Sequence, residues 1–239
     1  MLRCLAAAVV FLFAAIWLPP YAPAAGDVIR LTTQDWPPYQ MLTGNRVDGI
    51  AVRVVRCVLG RLGIEGQFTV LPWSQAQEMV RDGRADGFFG ATRNTGRDSY
   101  ATLSASIAPE TRRWYWRVDH AVDVTDKALH IGAQAGTGMY DWLRDNGYTN
   151  IEAAQTVSEL ARRLDIGAVD AILANQLVFD CNIAIAGIPG TKFASITNSE
   201  NGVGVYFSNN YLAAHPAFLD RFNAEATDCR MNAHLFPDH

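Results

Sequence analysis

The chain has 239 residues, a formal net charge of −4, and 20 lysines and arginines against 24 aspartates and glutamates. A mildly acidic chain with no basic run argues against nucleic acid as a partner. Its five histidines (His120, His130, His215, His234 and His239) show no ligand spacing, so no metal site is expected, and no cofactor is assigned.

The first residues read as a secretory signal peptide over 1–24. Arg3 supplies the positive charge, Leu5 to Leu18 is apolar, and Ala22-Pro23-Ala24 gives a small-residue cleavage site. The apolar run is short of the roughly 20 residues that span a bilayer. A periplasmic location is therefore expected. Cys57, Cys181 and Cys229 then remain, and none forms a C-x-x-C pair. In an oxidising compartment two of the three can pair. Cys57 falls on the apolar stripe of a predicted helix, which favours Cys181–Cys229 as the bridge over Cys57–Cys229.

Val28 to Thr32 reads as a strand running into T-T-Q-D-W-P-P-Y, where Pro37-Pro38 stiffens a loop carrying Trp36 and Tyr39. Gly49 to Leu62 puts Ile50, Val54, Val55, Val58, Leu59 and Leu62 at helical spacing, and Gly63 ends that helix. Gln67 to Leu71 is a second strand. Ser74-Gln75-Ala76-Gln77 has the pattern of a capping box for a helix to Asp82, stopped by Gly83. Asp86 opens a short apolar run between glycines, as in a strand buried on both faces, and the run empties into a polar loop with Thr92, Arg93, Thr95 and Arg97. Ligands of open α/β sheets sit beyond the carboxyl ends of strands, so that loop is the first place to look for a site.

Arg112 to Val118 reads as an extended segment leaving this unit. A second α/β set follows: a strand at Leu129–Ala133, a tight Gly136-Thr137-Gly138 loop, a helix at Met139–Asn146, a capping box at Thr156–Glu159 and a strand at Val169–Ala174. Gly83-Arg84-Ala85-Asp86 has a counterpart in Gly167-Ala168-Val169-Asp170, each preceding a buried strand. The pair suggests two lobes of one kind facing a shared cleft, with Thr92 on one side and Asn175 and Gln176 on the other. Gly202 to Phe207 is a last strand, and Pro216 to His234 contains an amphipathic helix. If this end returns to the first lobe, strands cross near 114–118 and 203–206 and act as hinges. The predicted division is a first lobe over 25–115, a second over 116–203, and a return with C-terminal helix over 204–239.

The W-P-P-Y loop, G-I-A-V-R-V-V-R-C-V-L-G-R-L-G, Pro72-Trp73, G-x-x-D-G-F-F-G-A-T-x-x-x-x-R and G-V-G-V-Y-F together resemble, in order, the extracellular solute-binding proteins of family 3. The resemblance implies a two-lobed type II periplasmic-binding-protein fold, each lobe a mainly parallel sheet flanked by helices, joined by two crossing strands. It implies a monomeric receptor that takes a small carboxylate-bearing solute and delivers it to an inner-membrane ABC permease.

By the same resemblance Arg97 grips the ligand carboxylate, a task suited to a guanidinium fork. Thr92 and the backbone at Gly90 assist, Gly136, Thr137 and Gly138 contribute from the second lobe, and Trp36 stacks on the ligand, with Phe89 and Tyr140 as further wall. Where the family's amino-acid receptors carry an acid for the ligand ammonium, this chain has Asn175, an amide without charge. Arg93 reads as solvated charge, and Trp73 as core before ligand contact. No G-x-S-x-G, H-E-x-x-H or G-x-x-x-x-G-K-[ST] occurs, so no catalytic residue is assigned. The fold also hosts enzymes such as cyclohexadienyl dehydratases, for which Glu110 and Asp141 are the nearest carboxylates, and a third reading is a soluble sensor that reports ligand to a membrane signalling protein.

Overall fold

The computed structural model describes residues 27–232. The signal peptide expected over 1–24, its cleavage site, and His234 and His239 at the other end lie outside the described residues.

The chain runs β1 (Val28–Thr33), a hairpin of β2 (Met41–Thr43) and β3 (Arg46–Asp48), α1 (Ile50–Leu62), β4 (Glu65–Val70), α2 (Trp73–Arg81) and β5 (Gly87–Ala91). A 3₁₀ turn at Arg97–Ser99 leads to β6 (Ala101–Leu103) and β7 (Ala108–Arg117). The order then repeats as β8 (Ile131–Gln134), α3 (Gly138–Asp145), β9 (Ile151–Ala154), α4 (Val157–Asp165) and β10 (Ala171–Asn175). α5 (Gln176–Ile185), β11 (Phe193–Ser208), α6 (Asn209–Ala214) and α7 (Phe218–Asn232) complete it.

The strands lie in the order β4-β1-β5-β11-β7-β10-β8-β9, with β6 also on β11. Two parallel triads are visible in that order, β4-β1-β5 and β10-β8-β9, each with its earliest strand in the middle. Parallel pairing needs a crossover, which α1 and α2 supply in the first triad and α3 and α4 in the second. The long antiparallel pair β7–β11 joins them. β7 takes up β10 from Arg112, opposite Asn175, while β11 leaves β7 at Val203 and takes up β5 from Gly204. This is the two-lobed fold expected from the sequence.

The parallel between the two Gly-x-x-Asp segments is structural. Gly83 and Gly167 both have positive φ, 73° and 71°. Asp86 N–H donates to Arg30 O at 2.9 Å and the Asp86 carboxylate accepts from Arg30 N–H at 2.8 Å. Asp170 does the same with His130, at 2.9 and 3.2 Å. Each aspartate thus pins the start of its buried strand to its neighbour.

Burial alone would raise the Asp86 carboxyl, but bonds from the Arg30 side chain and backbone outweigh it and hold the group below the usual aspartate range. A carboxylate whose folded value is depressed stabilises the fold above its unfolded value, about pH 4, and that stability is lost as pH falls through the folded value. Melting curves of Asp86→Asn below about pH 4 should therefore fall less steeply with acid than those of the wild type.

The capping box at Thr156 forms: Thr156 Oγ1 accepts from Glu159 N–H at 3.1 Å, and the Glu159 carboxylate reaches back to Gln155 N–H at 3.1 Å. The one expected at Ser74–Gln77 does not. α2 starts two residues earlier, directly after Pro72, with no side-chain cap, and Gln77 turns instead to Trp73 O and Arg97.

The cysteine pairing also differs from the expectation. Cys57 on α1 is bonded to Cys229 on α7, with Cα atoms 5.8 Å apart, and Cys181 is free. Cys57 does lie against the core, but α7 packs along that side of α1, which brings Cys229 to it. Cys181 sits on α5, in the other lobe.

Candidate functional site

The two lobes meet over a cavity of about 20 Å³, room for about one water. It collects strand ends, as the crevice rule requires: Gln34 and Trp36 after β1, Gly90, Ala91 and Thr92 at and after β5, and Thr137, Gly138 and Met139 at the start of α3. Trp73, Arg97 and Glu110 complete the lining.

Arg97 is the best-held residue here. It is 4% exposed, and Nε donates to Gln77 Oε1 at 2.8 Å, Nη1 to Thr92 O at 3.0 Å and Nη2 to Gly136 O at 2.7 Å. The guanidinium also lies 5.2 Å from the Trp73 ring centre and 5.9 Å from that of Phe88, within cation–π range. All its hydrogen-bond acceptors are neutral. Burial pushes its pKa below the ordinary arginine value, with only partial relief from Tyr206, Tyr100 and Asp141. Of the five N–H groups of a guanidinium these bonds use three, leaving one on each terminal nitrogen. A buried cation with a free pair of donors is arranged to meet an anion.

Other contacts tie the lobes together. Trp73 Nε1 donates to Gly136 O at 3.0 Å, Gln134 Nε2 to Gln34 Oε1 at 2.7 Å, Arg112 Nη2 to Thr92 Oγ1 at 2.7 Å, and Asn94 Nδ2 to Asp141. A larger polar cavity of about 480 Å³ opens outside them, between Arg93–Gly96 and α3.

The sequence profile of bacterial extracellular solute-binding proteins, family 3, matches residues 28–224. The chain belongs to this family. A search of curated protein sequences gives no match. Among solved structures, a histidine kinase sensor domain similar to periplasmic binding proteins superposes with a TM-score of 0.75 at 18% identity, covering 87% of this chain and 92% of that one. The histidine-bound substrate-binding protein of an ABC uptake transporter from Streptococcus pneumoniae gives 0.72 at 14% identity, covering 84% and 86%. The substrate-binding protein of an amino acid ABC transporter gives 0.70 at 18%, covering 86% and 94%. At these identities the likeness is one of fold.

Of the site residues predicted for a family 3 protein, Trp36, Gly90, Thr92, Arg97, Thr137 and Gly138 line the cavity. Gly136 stands beside it, its carbonyl accepting from both Arg97 and Trp73. Phe89, Tyr140 and Asn175 do not line it. Phe89 is buried against Phe68, and Tyr140 packs with the Trp114–Tyr148 cluster. Asn175 Oδ1 caps α5 through Val178 N–H at 3.0 Å, and Nδ2 donates to Tyr39 OH at 3.3 Å. Arg93 is exposed and paired with Asp98 at 3.1 Å. Gln34, Ala91, Met139 and Glu110 were not assigned as ligand residues, and Trp73 has both functions weighed for it: it packs on Phe88 and faces the cavity. Among the described residues no group of three or more His, Cys, Asp and Glu is placed to hold a metal.

Gly90 shows why this strand end carries a glycine. Its φ is 81°, and a Cβ there would run into the Gln40 side chain amide. The atoms in the way are the far end of a flexible side chain whose amide has no hydrogen-bond partner, so Gln40 can shift and the cost is mainly that of the left-handed backbone, about 1–2 kcal/mol. Thermal melts of Gly90→Ala should show a midpoint lower by about 2–8 °C.

Proposed function

We propose that this protein is a periplasmic receptor that binds a small carboxylate-bearing solute, an amino acid or a related acid, between its lobes and passes it to an inner-membrane ABC permease. One observation carries the reading: a buried arginine in the turn that follows β5 lines the cleft cavity, has only neutral acceptors, and has two N–H groups that these bonds leave unused. Arg97 and Thr92 hold the anion on the first lobe. The start of α3, with Thr137 and Gly138, meets it from the second, where a helix N-terminus favours negative charge.

A cavity of about 20 Å³ admits no solute of this kind, so entry requires the lobes to part. The pivot lies in β7 and β11 between Ala108 and Arg112 and between Ser199 and Gly204, where pairing passes from one triad to the other. Ligand contacts made only in the closed form shift the equilibrium toward it. The receptor acts as a monomer, secreted by cleavage after Ala24.

A thermal-shift screen over amino acids, hydroxy acids, short dicarboxylates and simple amines tests this. A ligand at 100 times its Kd adds about 2.7 kcal/mol of stability. Stabilisation by carboxylates and not by amines is expected; stabilisation by amines alone would contradict it.

The likeness to a histidine kinase sensor domain favours a second reading, in which closure reports the solute to a membrane protein instead of delivering it. Loss of labelled-solute uptake on deleting the gene supports delivery; intact uptake supports sensing.

A further inference from the structure

Glu110 lies in the cleft, and the fold bonds one of its two carboxylate oxygens. It stands on β7, is 2% exposed, and is the one acid among the residues lining the Arg97 cavity. Its Oε2 accepts from Arg112 Nε at 3.1 Å, and Arg112 is itself 8% exposed. No hydrogen bond to Oε1 is formed among the described residues, and Oε1 is not one of the fully buried unpartnered atoms, so it keeps a share of the open space of the cleft. A carboxylate oxygen without a donor there is placed to accept one from a ligand.

Asn175 does not line this cavity, and its amide bonds the α5 cap and Tyr39. The acid that does line it stands on the crossing strand.

We propose that Glu110 accepts a hydrogen bond from an ammonium or hydroxyl on the ligand carbon next to the carboxylate, and so sets which carboxylates bind. This rests on the cleft reading above and adds a requirement to it. Arg97 and Glu110 border one small cavity, so the two ligand groups they hold are close neighbours on the same molecule. An ammonium gives a charge-assisted bond, a hydroxyl a weaker one, and a ketone offers no donor at all.

The test is a calorimetric titration of wild type, Glu110→Gln and Glu110→Asp with three matched series. These are alanine, lactate, pyruvate and propionate; glutamate, 2-hydroxyglutarate, 2-oxoglutarate and glutarate; and phenylalanine, phenyllactate, phenylpyruvate and phenylpropionate. In the series that binds, wild type should prefer the amino compound over the oxo and unsubstituted acids by about tenfold or more, with the hydroxy acid between. Glu110→Gln should compress that spread to about threefold, and Glu110→Asp, which keeps the charge, should preserve the order. If Glu110→Gln fails to fold, as its melting curve will tell, Glu110→Asp must still weaken the amino compound more than the unsubstituted acid. A wild type indifferent to the substituent, or a Glu110→Gln protein with the full preference, overturns the role of Glu110 and leaves the Arg97 clamp standing. Failure of all twelve acids to bind overturns both.

Discussion

Arg97→Ala should bind the receptor's carboxylate ligand at least about 100-fold more weakly than the wild type. Two charge-assisted bonds to a desolvated anion contribute about 1.5–3 kcal/mol each, and every 1.4 kcal/mol is a factor of ten. The magnitude is this large because the guanidinium is prepared in advance. Gln77, Thr92 and Gly136 fix its plane, Trp73 and Phe88 flank it, and the cost of burying the charge is already met in the folded protein. Arg97→Lys should recover only part of the loss, since an ammonium cannot reproduce the fork. Calorimetric titration reads both variants, and melting curves without ligand separate lost binding from lost packing. Equal affinity for wild type and Arg97→Ala would remove the clamp.

The second large effect is on stability. The Cys57–Cys229 bond closes a loop with a sequence separation of 172 and ties the C-terminal helix to α1. Chain-entropy arguments put a loop of this length near 5 kcal/mol, and removing native disulfides typically costs about 2–5. The double variant Cys57→Ser/Cys229→Ser should melt about 5–20 °C lower than the wild type. Wild type in strong reductant should approach the same midpoint, and Cys181→Ser should change it little. A drop on Cys181→Ser with none in the double variant would mean that the bridge is elsewhere.

Much of this architecture was legible in the sequence where a pattern belongs to one element. The stripe of Val54, Val55, Val58 and Leu59 specifies α1, and Gly63 closes it at φ 71°. The glycine-flanked run at 87–91 is wholly buried, as its composition required. The strand-end rule pointed to the Thr92–Arg97 loop, and the family resemblance named Arg97, Thr92, Thr137 and Gly138, all four of which line the cavity.

What was not legible depends on partners far along the chain. The first half of β11, F-A-S-I-T-N-S-E-N, is polar and mostly exposed; it is extended because β7 lies beside it, a fact no local pattern contains. The Ser74–Gln77 box obeyed the capping pattern, yet Gln77 is drawn away by Arg97. Cys57 was correctly placed toward the interior, but only the packing of α7 shows which cysteine it meets. Glu110 looks like one more polar residue in an alternating strand until the lobes close around it. Asn175 has a local role that its position did not announce: its side chain caps α5 and donates to Tyr39 OH.

The cleft reading is tested most directly by a crystal structure with the strongest carboxylate from the thermal-shift screen. The carboxylate should lie between the lobes within hydrogen-bonding distance of the Arg97 terminal nitrogens and of Thr92. A carboxylate seated instead in the outer cavity between Arg93–Gly96 and α3, with Arg97 still bonded only to Gln77, Thr92 and Gly136, would contradict it.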